Sequence, residues 1–229
     1  MNIKKASPLG LNFIFLMLMV VGFQSCGSTR ARDRSIREWE KFEWKIVKTD
    51  KKENPSWTIY SRKVKESNFT EYKIEGDVKA SPNASVAAFR RDIHDQAADL
   101  KNKKYPTYDI ISESKDSLLT YVIHHEPFPF KDTEMSIIYV FSNDEDGTTR
   151  VTWHEAWNVN PVPPSKKLSR VKTFRGYWTF APTSSNANRA VNSVQFDSKG
   201  MPVWLVKPMV TNFIRNALED IKKETTKKK

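Results

Sequence analysis

The stretch RAVNSVQFDSKGMPVWLVKPMVTNFIRNALEDIKK, residues 189–223, indicates the fold class through two successive patterns. Its first nine residues, 189–197, mix apolar and polar side chains with a period near two, which predicts a strand. From about residue 202 the period becomes helical, with an apolar stripe formed by Val206, Met209, Val210, Phe213, Ala217 and Ile221. Pro208 lies inside this pattern and is expected to kink the helix or to mark its first turn. The sequence therefore predicts a last strand followed by a long amphipathic helix over about 202–223.

The segments before this stretch predict further strands and one more helix. Residues 57–64 and 71–78 have period-two patterns, and Ser81 opens a helix with Phe89 and Ile93 on one face. Five strands then follow with short turns between them: 108–114, 118–125, 132–142, 148–158 and 170–181. Consecutive strands joined by short turns form an antiparallel sheet. We predict an α+β fold in which a curved antiparallel sheet wraps around the long C-terminal helix and leaves an internal apolar cavity.

The first 26 residues have the pattern of an export signal. Two lysines precede the apolar stretch 9–23, which is shorter than the ~20 residues that a membrane-spanning helix needs. The stretch ends at Cys26 in a sequence that resembles the lipobox of bacterial lipoproteins; an ordinary secretory signal is the alternative. The predicted organisation is a lipoprotein signal peptide at 1–25, a tether at 26–34, one domain at 35–224 that begins with a helix over 35–47, and a basic tail at 225–229.

Composition limits the classes of function. The chain has 229 residues, a formal net charge of +11 and 12% aromatic residues, and this aromatic content disfavours disorder. Its single cysteine excludes intramolecular disulfides and zinc sites built on paired cysteines, and no glycine-rich nucleotide motif is present. No nucleophile motif or paired carboxylates stand out. We therefore predict no catalytic residues, no metal and no cofactor, and the export signal disfavours nucleic acid as a partner.

Three local strings occur in order along the predicted strands. They are PFPFKDTEM at 127–135, GYWTFAP at 176–182 and FDSKGMP at 196–202. Together with the element order, they make residues 54–223 resemble the START domain, the steroidogenic-acute-regulatory-protein-related lipid-transfer family of the helix-grip superfamily. The sequence departs from that family at Thr133, where arginine is usual, and at Tyr139, where some members carry a buried arginine.

The resemblance implies a set of inward-facing side chains that contact a hydrophobic ligand. They are Met135, Ile137, Tyr139, His124, Trp178, Phe180, Val194, Phe196, Met209, Phe213 and Ala217. It also implies a gate loop whose Phe128 and Phe130 meet a membrane. The alternative for each residue is ordinary core packing, since a strand register that slips by one residue exchanges the two faces.

The tryptophans and histidines of the predicted strands each have more than one possible role. The resemblance also implies that Trp153 and Trp157 lie on the outer face of the sheet, beneath the N-terminal helix that carries Trp39 and Trp44. His124 and His125 point to opposite faces of a strand, so at most one of them can join His154 in a metal site. We instead expect His124 to offer a hydrogen bond to a ligand hydroxyl or phosphate.

These features predict a lipid-binding or lipid-transfer lipoprotein of a bacterial cell envelope. It would be anchored through Cys26, would face the periplasm and would sit on the outer membrane. Its partners would be a lipid or sterol-like molecule and a membrane surface, which basic runs such as 101–104 would contact. Two alternatives stay open: a helix-grip enzyme of the cyclase or hydrolase type that uses His124 and Tyr139, and a structural envelope lipoprotein whose cavity is filled by side chains.

Overall fold

The computed structural model describes residues 43–50, 52–64, 69–126, 131–197 and 203–227, without the side chains of residues 196–197, 203–206 and 209. These residues form ten strands and two helices. The strands are β1 (Lys45–Thr49), β2 (Trp57–Lys63), β3 (Phe69–Val78), β4 (Thr107–Glu113), β5 (Ser117–His124), β6 (Thr133–Asn143), β7 (Thr149–Glu155), β8 (Ser169–Arg170), β9 (Arg175–Ser184) and β10 (Ala187–Asp197). The helices are α1 (Pro82–Ala98) and α2 (Val203–Thr226). Among the described residues, neither helix is long and apolar enough to cross a membrane.

One sheet contains all of these strands. Its order is β1-β2-β3-β10-β9-β7-β6-β5-β4 with antiparallel neighbours, and the short β8 pairs in parallel with the start of β6. The β3–β10 ladder places Tyr72 opposite Val194, so strands from the two ends of the chain meet inside the sheet. The predicted α+β class, an antiparallel sheet closed by a C-terminal helix, is confirmed.

Both helices pack on one face of the sheet. Ser81 caps α1 by accepting a hydrogen bond from the Ala84 N–H at 3.3 Å, and Pro82 follows at a position where its missing N–H is not needed. The C-terminal helix α2 contacts α1, β3 and β10 through an apolar stripe that includes Phe213 and Leu218. Pro208 lies inside α2, which begins at Val203.

Four element boundaries differ from the prediction. The helix expected over 35–47 does not extend to Val47, because residues 45–49 form the edge strand β1 and Ile46 pairs with Tyr60 of β2. The strand expected at 148–158 ends at Glu155. The strand expected at 170–181 is divided into β8 and β9. Finally, α2 continues to Thr226, so the predicted tail at 225–229 begins inside the helix.

A buried ion pair lies on the face of the sheet opposite the helices. The Arg62 Nε is 2.7 Å from Glu71 Oε2, and the Ser193 hydroxyl donates to Glu71 Oε1 at 2.5 Å. The Trp44 ring covers this pair, with its centroid 4.2 Å from the Arg62 guanidinium. Because Glu71 is fully buried, its charge depends on these partners for stabilisation.

Candidate ligand-binding site

A cavity of about 110 Å³ lies between the sheet and the two helices. Side chains of α1 and α2 form its roof, and β4 to β7, β9 and β10 form its floor together with the segment before β4. The helical contribution comes from Phe89, Asp92, Ile93, Gln96, Phe213, Ala217 and Ile221. Most of the wall is apolar or aromatic, which suits a hydrophobic occupant.

The cavity is small for a two-chain lipid. Pockets that hold drug-sized ligands have volumes of about 300–1,000 Å³, against about 110 Å³ here. Interiors are close-packed, so a larger occupant must displace wall side chains or move a helix. A single chain or a compact ring system demands less rearrangement.

Strand β6 supplies three of the predicted ligand contacts. Met135, Ile137 and Tyr139 are buried and line the cavity, because alternate residues of a strand share a face. Val122 of the neighbouring β5 pairs with Met135 and also lines it. This part of the floor is therefore continuous across two strands.

Two tryptophans extend the floor toward β9. Trp178 lines the cavity. Trp153 lines it as well and is buried, so the expected place of Trp153 on the outer face is wrong. Trp153 pairs with Gly176, where an added Cβ would lie 2.3 Å from the indole Cζ2. The missing side chain at this glycine makes room for the inward indole.

Trp157 lies away from the cavity, but not beneath Trp44. Its indole N–H donates to the Val171 carbonyl at 2.7 Å, and the Arg170 guanidinium sits 3.9 Å from its ring centroid. Trp44 instead covers Arg62 on β2. Trp44 and Trp157 therefore contact different parts of the molecule.

The C-terminal helix α2 contributes Phe213, Ala217 and Ile221 to the cavity wall. These residues are spaced four apart, so they share one face of the helix. Phe213 and Ala217 belong to the predicted set. Met209 belongs to it too, but its side chain lies outside the described residues.

Three predicted contacts are buried without lining the cavity. Phe180 stacks on Trp178 with ring centroids 5.3 Å apart, and Val194 lies in the same core cluster. His124 is 1% exposed and packs edge-on against the Tyr105 ring, which is itself part of the cavity wall.

The remaining predicted residues fall outside the part of the chain that the structure describes. They are Phe128 and Phe130 of the expected gate loop, the side chain of Phe196, and Cys26.

Three polar side chains in the wall were not predicted. Asp92 and Gln96 project from α1, and Asn192 projects from β10. Burial raises the pKa of Asp92 to about 7, and the carboxylates of Glu224 and Asp220 on α2 add to the rise. The signal was present in the sequence, since Asp92 follows Phe89 by three residues and Asn192 lies between the inward Ala190 and Val194.

Three tyrosines surround one end of the cavity. Tyr105, Tyr108 and Tyr139 all line it, and burial raises the pKa of each hydroxyl above its usual value. The Tyr108 and Tyr139 hydroxyls are hydrogen-bonded to each other. These phenols are therefore protonated and uncharged at neutral pH.

A second polar cluster is buried beside this tyrosine end. His124 Nδ1 lies 2.5 Å from Glu126 Oε1, and the Thr133 hydroxyl donates to the same oxygen at 3.0 Å. Burial lowers the pKa of His124 to about 3 and raises that of Glu126 to about 8, so both are uncharged at neutral pH. His154 is exposed, and the described residues contain no group of three ligands suited to a metal.

Comparisons with known proteins agree with this architecture. No family model matches the chain, and no curated protein matches it. Among solved structures, the STAR-related lipid transfer protein (fragment 25–204) from Xanthomonas axonopodis is 18% identical, with a TM-score of 0.63 over 80% of this chain and 99% of that one. Human StAR-related lipid transfer protein 5 is 13% identical, with a TM-score of 0.59 over 86% of this chain and 93% of that one.

The chain has the START helix-grip fold. The human StarD13 (DLC2) lipid transfer and protein localization domain shares it at 10% identity, with a TM-score of 0.60 over 89% of this chain and 99% of that one. At these identities the likeness concerns the fold, and function depends on the site. In this START fold the site is an apolar cavity with a few polar side chains.

Proposed function

We propose that the protein binds a hydrophobic small molecule between the sheet and its two helices, and that it carries this molecule to or from a membrane. The observation that supports binding is the largely apolar cavity of about 110 Å³ between the sheet and the helices. Shielding apolar surface from water contributes ~25 cal/mol per Å². The solved structures of the same fold bear lipid-transfer names, which favours a lipid as the ligand.

The membrane partner is proposed from a basic surface, which we define as Lys101, Lys103, Lys104, Lys131, Lys166 and Lys167. The His125 N–H donates to the Lys104 carbonyl at 2.8 Å, and Lys131 Nζ donates to the Lys166 carbonyl at 3.0 Å. These contacts place lysine-bearing segments beside His125 and Lys131. Each lysine near an anionic bilayer contributes ~1 kcal/mol of attraction at low screening.

The proposed location is a bacterial envelope, with the chain anchored through a lipid on Cys26. This follows from the signal-like pattern over 1–25. Labelling of cells with an alkyne-bearing palmitate tests it, with Cys26→Ser as the matched variant. Label on the wild type and none on the variant supports the anchor, whereas equal label on both rejects it.

The enzyme alternative receives less support than binding. It needs His124 and Tyr139 to act on one substrate, but only Tyr139 lines the cavity, and the Tyr105 ring packs against His124. The described cavity wall contains no nucleophile paired with a base.

Native mass spectrometry of the purified protein, followed by extraction of any bound molecule, tests the proposal. A stoichiometric hydrophobic ligand is expected. A protein that carries none and also fails to take up phospholipids, fatty acids or sterol-like compounds would reject binding and favour the structural alternative.

Transfer between donor and acceptor vesicles tests the membrane step. Lys166→Glu with Lys167→Glu should slow delivery to anionic vesicles at low salt, and the difference should shrink at high salt. The matched control is Lys45→Glu with Lys48→Glu, which makes the same charge change on edge strand β1. Equal slowing by both pairs would indicate net charge alone.

A further inference from the structure

The turn between α1 and β4 carries the most exposed large apolar side chain of the described residues. Leu100 is 95% exposed, and the next most exposed of these side chains, Ile46, is 68% exposed. A single exposed leucine is common on protein surfaces, so the case for a contact depends on what surrounds it.

Hydrogen bonds hold this turn in a defined shape. The Leu100 N–H donates to the Ala98 carbonyl at 3.1 Å, and the Asn102 N–H donates to the Asp99 carbonyl at 3.0 Å. The Asp99 side chain also accepts a hydrogen bond from the Lys101 N–H at 3.2 Å. Because the backbone is fixed on both sides of Leu100, the leucine projects into water from a defined position.

Basic side chains flank the leucine. Segment 99–104 contains three lysines and one aspartate, which gives it a net charge of +2. Lys101 and Lys103 are exposed, and both belong to the basic surface defined above. An exposed apolar side chain beside exposed lysines matches an anionic bilayer, which offers apolar chains beneath negative head groups. Nucleic acid would contact the lysines but leave the leucine in water.

The same turn connects two parts of the cavity wall. Gln96 lies before the turn and Tyr105 follows it, and both residues line the cavity. The Asn102 side-chain amide donates to Gln96 Oε1 at 3.1 Å, and the Tyr105 N–H donates to the Asn102 carbonyl at 3.2 Å. A bilayer that holds Leu100 would therefore lie beside this end of the cavity.

We propose that the turn 98–104 docks on an anionic bilayer, with the Leu100 side chain inserted among the lipid chains and with Lys101 and Lys103 on the head groups. This inference rests on the proposed transfer function and names the element that meets the membrane. One inserted leucine contributes about a tenfold gain in affinity, which is small enough to permit release.

A fluorescent label at position 100 tests the docking. Leu100→Cys in a Cys26→Ser background carries the fluorophore NBD, and the probe is vesicles of phosphatidylcholine with or without phosphatidylglycerol. The emission should shift to the blue on the anionic vesicles, because the label leaves water. Lys101→Glu with Lys103→Glu should reduce the shift at low salt, and the reduction should be smaller at high salt.

Ile46→Cys, labelled in the same background, is the matched control. Ile46 is also exposed and lies near Lys45 and Lys48, but it is on edge strand β1, which contributes no residue to the described cavity wall. A label at position 46 should keep its emission on both kinds of vesicle. The comparison therefore separates docking through the turn from general attraction of basic, apolar surface.

Substitution of the leucine measures its contribution. Leu100→Ser should slow transfer of a bound lipid to anionic vesicles about tenfold, and Leu100→Ile should restore most of the rate. Thermal unfolding should be unchanged in both variants, because a side chain that is 95% exposed contributes little to the core.

The failures of this inference and of the proposed function are distinguishable. A label at position 100 that stays in water on anionic vesicles, or that responds equally without phosphatidylglycerol, would overturn the docking assignment. An equal response at position 46, or wild-type transfer by Leu100→Ser, would overturn it too. Ligand uptake seen by native mass spectrometry would still support binding in these cases. A wild type that neither takes up a ligand nor responds to vesicles overturns both.

Discussion

Filling the cavity from the closing helix should abolish ligand binding without unfolding the protein. Ala217 is half-buried and lines the cavity from α2, so Ala217→Phe directs a phenyl ring into it. The cavity holds about 110 Å³. A ring of this kind is similar in size to the benzene that an apolar cavity of about 150 Å³ accommodates. The substituted ring would therefore occupy most of the space.

The expected change in stability is small because opposing terms cancel. Burying a large apolar side chain contributes about 1.5–3 kcal/mol. Phenylalanine is a weaker helix former than alanine by about 0.5 kcal/mol, and tight packing costs about 1–3 kcal/mol. The free energy of unfolding should stay within about 1.5 kcal/mol of wild type. Ligand affinity should fall at least tenfold, or about 1.4 kcal/mol.

The assay combines thermal unfolding with displacement of N-phenyl-1-naphthylamine. Ala87→Phe is the matched control, since Ala87 is exposed on α1 and the same substitution there adds a ring outside the cavity. The control should bind as wild type does. A folded Ala217→Phe protein with wild-type affinity would refute the reasoning, because the ligand would then have to bind elsewhere.

Three other substitutions test the structure around the site. Gly176→Ala should lower the free energy of unfolding by about 1–3 kcal/mol in chemical denaturation, since its Cβ would lie 2.3 Å from both the Ser193 carbonyl oxygen and an indole carbon; unchanged stability would contradict this packing. Burial raises the pKa of Asp92 to about 7, so the folded state binds its proton more tightly and loses stability as pH rises from about 4 to about 7. Asp92→Asn should therefore be the more stable protein at pH 8, by an amount on the order of 4 kcal/mol that vanishes below pH 4. A pH-independent difference would reject the shift. Glu71→Ala should lower the free energy of unfolding by about 3–5 kcal/mol because it leaves a buried arginine unpaired. The control Glu219→Ala, which breaks an exposed ion pair, should lower it by less than about 1 kcal/mol. Equal losses would argue against burial as the cause.

The strands could be predicted from the sequence because each one has its own alternation of apolar and polar residues. The alternation in β6 predicted that Met135, Ile137 and Tyr139 share one face, and the structure places all three in the cavity wall. The i, i+4 spacing in α2 did the same for Phe213 and Ala217.

The sequence did not predict which inward-facing residues border the cavity and which are packed in the core. Phe180 and Val194 point inward but contribute to the packed core, since the position of the cavity depends on where α1 and α2 sit on the sheet. Helix placement is a tertiary property that periodicity does not encode. For the same reason, Asp92 and Asn192 were not predicted as cavity residues. Their polar side chains resemble ordinary surface residues until the positions of α1 and β10 are known.

The error at Trp153 has a different cause. Trp153 and Trp157 share an alternation pattern, but β7 ends at Glu155, so the pattern does not continue to Trp157. The two tryptophans therefore need not point to the same face of the sheet. The room that Trp153 needs comes from Gly176 on another strand, and only the cross-strand pairing reveals it.

The ladder between β3 and β10 also determines when the molecule can fold. It pairs Val78 with Asn188, so the edge of β3 that faces away from β2 has no neighbour until β10, much later in the chain, has been synthesised. Contacts between such distant residues give a high contact order, and sheets of this kind fold in milliseconds to seconds. A nascent or truncated chain that stops before β10 would expose two unpaired strand edges, which are sites for aggregation. Strand β10, formed late in the chain, therefore covers the exposed edge of β3, which is made much earlier.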